Sequence, residues 1–135
     1  MKLPHNAHVA VVDGNRFMLL QNTGQPFEPS LKMVEEPSLD PSNFSAGVRH
    51  QDDAGQRTGA TDLNDLAHAA AATEWLNAKT VAGELEHLMV VADPKTLGEM
   101  RRHYHGTLES ALVGEIDKAM TGEPLEKIAK VIAQS

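Results

Sequence analysis

Apolar positions come first in short runs and later at helical spacing. His8 to Val12 is a brief apolar run, Asp13-Gly14-Asn15-Arg16 interrupts it, and Phe17-Met18-Leu19-Leu20-Gln21-Asn22 resumes it. Two strand-like runs flanking an Asp-Gly pair predict a hairpin, with Gly14 supplying the positive φ of a tight turn. Asn22-Thr23-Gly24-Gln25-Pro26 is a second turn signal, and Leu31 to Glu36 predicts a third strand. The opening is thus expected to be a three-stranded antiparallel meander.

From Pro37 to Thr61 the chain is polar and almost without apolar period, which predicts a long loop at 37–61. Loops of that length in compact domains tend to be functional or disordered. Thr61 or Asp62 is placed to cap a helix whose Leu66, Ala69, Ala70, Thr73 and Leu76 share one face and which ends near Gly83. Leu88-Met89-Val90-Val91-Ala92 is apolar throughout, the pattern of a central parallel strand covered on both faces. Asp93 then caps a helix with Pro94 at its first position and Leu97, Met100 and Tyr104 turned inward. Leu112 to Met120 reads as a half-buried edge strand, and Thr121-Gly122-Glu123-Pro124 opens a last helix packing Leu125, Ile128, Ala129 and Ile132. The order β-β-β-α-β-α-β-α predicts one α/β domain over residues 1–135, a mixed five-stranded sheet flanked by helices, the layout of ribonuclease H-like domains. A fold of that kind hosts many functions and selects none.

Composition narrows the function classes. A formal charge of −7 argues against a surface that grips nucleic acid everywhere, because phosphate binding needs clustered Lys and Arg. Five aromatic residues are too few for an extended base-stacking surface. The absence of cysteine removes disulfides, thiolate nucleophiles and thiolate metal sites. No stretch approaches the ~20 apolar residues of a membrane span, and Met1-Lys2-Leu3-Pro4-His5 leads into the first strand without a signal-like apolar segment. A cytoplasmic protein with no membrane partner is expected.

Several residue groups suggest chemistry, each beside an ordinary structural explanation. Asp13, Glu35 and Asp93 fall near strand ends and are placed to gather over the sheet around Mg²⁺, as in metal-dependent nucleases. Asp13 is equally a turn residue and Asp93 a helix cap. Arg101-Arg102-His103-Tyr104-His105, with Lys95 on the same helix, is the one concentrated basic stretch, suited to RNA phosphates with Tyr104 available to stack. Cations at a helix C-terminus also simply offset the macrodipole. Arg49 and Arg57 in the long loop extend this patch if the loop folds over it. The seven histidines show no recognised ligand spacing, and neither a phosphate-binding glycine loop nor a Gly-x-Ser-x-Gly elbow is present. No cofactor or bound metal is expected. The open edge of the 112–120 strand suggests a homo-oligomer as a further possibility.

Two blocks carry a family resemblance. Val113-Gly114-Glu115-Ile116-Asp117-Lys118-Ala119-Met120-Thr121-Gly122-Glu123-Pro124-Leu125-Glu126-Lys127-Ile128 resembles the closing signature of the bacterial host-attachment family. Leu88 to Arg101 resembles its strand-then-helix block, and Val11-Val12-Asp13-Gly14 and Glu74-Trp75-Leu76-Asn77 extend the likeness over nearly the whole chain. That family is similar to the middle domain of archaeal and eukaryotic class I release factors, a ribonuclease H-like fold whose Gly-Gly-Gln tip lies in a loop before a long helix. Here Ala54-Gly55-Gln56 matches the last two tip positions. The resemblance implies a binding or adaptor domain meeting a ribosome, RNA or protein partner through the long loop and the basic helix. By the same resemblance, Gly55 and Gln56 are candidates for ester hydrolysis, through a backbone amide and a side-chain amide.

Overall fold

A computed structural model of the chain describes residues 2–39 and 55–135, with side chains described outside 55–62. The meander forms as expected: β1 (His8–Val12), β2 (Phe17–Asn22) and β3 (Leu31–Glu35) pair antiparallel in succession. Helix α1 (Gly55–Val81) leads to β4 (Leu88–Ala92), then α2 (Pro94–Arg101), the short α3 (Gly106–Ala111), β5 (Leu112–Ile116) and α4 (Leu125–Gln134). The sheet order is β3-β2-β1-β4-β5. β4 pairs parallel with both β1 and β5, so β2 alone runs against the other four strands.

Strand periodicity divides the core into two layers. Ala10 and Val12 of β1, Phe17 and Leu19 of β2 and Val90 of β4 face Ala69, Ala72 and Leu76 of α1, Leu97 and Met100 of α2, and Leu108 of α3. Val9, Val11, Met18, Leu20, Met89 and Val91 face the other way, onto Ile128 and Ile132 of α4. All five residues of β4 are buried, as their unbroken apolar run demands. Phe17 meets Trp75 edge-on at 5.3 Å between ring centroids, joining the hairpin to α1.

Four local expectations are corrected. Gly14 does not take a positive φ; among the described residues only Asn6 and Gly83 do. The β1–β2 turn is closed instead by the Asp13 carboxylate, whose Oδ1 accepts the amides of Asn15 (2.8 Å) and Arg16 (2.7 Å), an Asx turn that needs no left-handed residue. α1 starts at Gly55, earlier than the Thr61–Asp62 cap, so the final residues of the 37–61 stretch are helical. The Ala-rich course beyond them is a strong helix former, and the helix extends backward past the nearest polar candidate. β5 stops at Ile116 rather than Met120, because its pairing with β4 ends at Val91–Ile116; the chain then turns at Met120, whose carbonyl accepts the Glu123 amide at 3.0 Å. The α3 turn, six residues long, shows no apolar period of its own and was not expected.

The other boundaries follow their signals. Gly83 closes α1 with φ 80°, its amide bonding to Thr80 O and that of Glu84 to Lys79 O, the paired bonds of a Schellman cap. Asp93 Oδ2 accepts the Thr96 amide at 3.2 Å, and Pro94 occupies the first turn of α2.

Candidate functional site

Parallel pairing of β1 with β4 brings two distant carboxylates to one rim. Val12 and Ala92 are partners in the register, so the next residues, Asp13 and Asp93, emerge side by side at the C-terminal ends of adjacent strands. With Gly14, Asn15, Asp65, Leu66, Lys95 and Thr96 they line a cleft of about 410 Å³. Crevices at the carboxyl ends of strands are the usual ligand position in open α/β sheets. Glu35, on β3 two strands from β1, does not line it.

The carboxylates in the cleft differ in how they are held. Asp13 carries the turn on one oxygen and accepts the Thr121 hydroxyl on the other, tying the hairpin to the segment before α4. Partial burial pushes its pKa up, but the hydrogen bonds from Thr121, Asn15 and Arg16 and the nearby His68 outweigh that and hold it below the ordinary value. Asp93 is engaged as the α2 cap. Asp65, from α1, lies against the Gly14 backbone so closely that a Cβ on Gly14 would come within 2.5 Å of its Cγ. Among the described residues no group of three or more His, Asp or Glu side chains is arranged to hold a metal ion.

The basic stretch is divided and largely paired. Lys95 opens α2 and lines the cleft, whereas Arg101 closes the same helix at its other end. Glu115 of β5 accepts Arg101 Nη2 at 2.7 Å and Nε at 3.1 Å on one oxygen, and the Tyr104 hydroxyl at 2.7 Å on the other. Burial raises the Glu115 carboxyl, but the bonds from Arg101 and Tyr104 leave it net below the usual range. Tyr104 is driven far above the usual phenol range by burial and by donating to that carboxylate. The Arg101 guanidinium is raised further by the same hydrogen bond. Glu99, almost wholly buried, engages Arg102 at 3.2 Å and His103 at 2.8 Å.

Gly55, Gln56 and Arg57 are the first three residues of α1, directly after the polar stretch. Arg49 lies outside the described residues. The structure therefore brings together Asp13, Asp93 and Lys95 at the cleft, and separately Arg101 and Tyr104 on Glu115, with Arg102 held on Glu99. Sequence reasoning missed Asp65, Thr121, Glu99 and Glu115 as partners in these groups. Glu99 carried a local signal, standing three and four residues before Arg102 and His103, although α2 ends at Arg101 and the expected helical course through Tyr104 is not formed. Asp65 and Thr121 carried none, since their roles depend on which sheet end α1 and α4 approach.

An α/β domain with an open mixed sheet and a 27-residue helix opening on Gly-Gln is the class of protein these features define. The chain belongs to the bacterial archaeo-eukaryotic release factor family 12, whose model matches residues 6–132. No curated protein matches the chain.

Proposed function

We propose that this chain is a translation-associated binding domain that meets the ribosome or an RNA through the start of α1 and the polar segment before it. The observation that carries this reading is the release-factor family match along residues 6–132. The sheet order, with β2 alone antiparallel, supports reading the fold as ribonuclease H-like. Arg57, in the first turn of α1, and Arg49, eight residues before it in the sequence, carry positive charge, while Arg101 and Arg102 are already engaged by Glu115 and Glu99 and serve as a secondary surface. Purified chain mixed with bacterial ribosomes should pellet with them at low salt and release as salt rises, the signature of phosphate contacts. Failure to pellet at any salt argues for a protein partner outside translation.

A second reading, hydrolysis of aminoacyl or peptidyl esters by Gly55 and Gln56, gains from one observation. The pair stands at the very start of the long helix, next to where the loop-borne tip lies in the release-factor middle domain that the chain resembles. Ala54 in place of the first glycine is the departure. If this reading holds, Gln56→Ala abolishes ester release from ribosome-bound peptidyl-tRNA; release unchanged in that variant removes it. A Mg²⁺-dependent nuclease finds less support, because Asp13 and Asp93 are each engaged in local structure.

A further inference from the structure

The two edges of the sheet differ in what they present. On β5, Glu115 is tied to Arg101 and Tyr104, and the strand's side chains are half-buried or buried. On β3, Lys32 through Glu35 are all exposed. Three of the four large apolar side chains most exposed among the described residues, Phe27, Met33 and Val34, lie on or just before this strand. The side chains of Lys32 and Glu35 make no ion pair or hydrogen bond among the described residues.

Among the described residues no strand pairs with the outer side of β3. Thr23 N donates to Ser30 O, and alternation from that pair turns the main-chain groups of Leu31 and Met33 away from β2. The irregularity at Val34 matters further. Lys32 pairs with Gln21 and Glu35 with Leu19, positions of like parity on β2, so the extra residue puts Lys32 and Glu35 on the same face of the sheet.

We propose that β3 is a self-pairing edge: two copies of the chain join antiparallel about a two-fold axis at Met33–Val34, setting Lys32 of each opposite Glu35 of the other. The strand is positive toward its start and negative toward its end, so it complements itself only in the antiparallel sense. Met33 and Val34 lose their exposed apolar surface at the centre of the contact. Five residues per strand bury less than a permanent dimer needs, so the association is reversible and concentration-dependent.

The test is sedimentation velocity of the full chain over about 1 to 200 μM, with Lys32→Glu, Glu35→Lys and the double exchange beside the wild type. The wild type forms dimers within that range. Each single reversal sets like charges opposite each other twice and weakens association by about tenfold or more, while the double exchange restores it. Thermal melting of each variant checks that these exposed substitutions leave the fold intact. A wild type monomeric throughout overturns the proposal, as does a dimer indifferent to both single reversals or a double exchange that folds but fails to restore pairing.

Discussion

Asp13 shows how one side chain is used twice. Its turn bonds shape the hairpin and its bond to Thr121 anchors the segment before α4, so both oxygens act as acceptors. The folded-state pKa lies below the ordinary value of 3.8, so folding favours the ionised form. That contribution is complete above the unfolded pKa and fades as pH falls through the lower, folded one. Asp13→Asn should cost about 1–2 kcal/mol at pH 7. It should also lose less stability than the wild type between neutral pH and about pH 3. Urea unfolding at both pH values checks this, and parallel pH dependences would contradict it. Gly14 is required by space rather than by backbone conformation. Gly14→Ala, which drives a methyl group toward the Asp65 carboxylate, should cost about 1 kcal/mol, and Asp65→Ala in the same chain should remove most of that cost.

At the scale of elements, Glu115 couples β5 to the end of α2 through Arg101 and Tyr104. Tyr104 is the chain's single tyrosine, which makes its ionisation visible in ultraviolet absorbance. Its folded pKa is raised, so the stability it confers is full below the unfolded value near 10 and is lost as pH climbs toward the folded one. Phenolate absorbance should therefore appear only as the chain unfolds. A titration centred near pH 10 in chain still folded by circular dichroism would count against the Tyr104–Glu115 bond. The elements themselves were mostly legible: β4 from its unbroken apolar run, α2 from Asp93 and Pro94, α4 from Ile128 and Ile132 at helical spacing. The start of α1 was not, because Thr61 and Asp62 are good caps that the helix passes through. β5 was overextended, since Asp117 to Met120 alternate as a strand does but have no strand beyond Ile116 to pair with.

At the scale of the molecule, the sheet order decides what meets what. Parallel pairing of β1 with β4 makes neighbours of Asp13 and Asp93, which both carried a sequence signal, and adds Asp65 and Lys95 from two helices. Strand order cannot be read from periodicity, which explains why the cleft's full lining emerged only in the fold. The basic stretch, conspicuous as sequence, is quieted by Glu115 from β5 and Glu99 from its own helix. The release-factor half of the family resemblance is what the match over residues 6–132 bears out, and it shifts attention from that stretch to the opening of α1. Among the described residues no helix is long and apolar enough to cross a membrane. The most direct test of the central claim is ribosome pelleting across a salt series for the wild type, Arg57→Glu and Arg101→Gln. The account predicts binding that weakens steeply with salt, drops by about tenfold or more in Arg57→Glu and changes little in Arg101→Gln. Binding indifferent to Arg57 but lost with Arg101, or no binding at any salt, would contradict it.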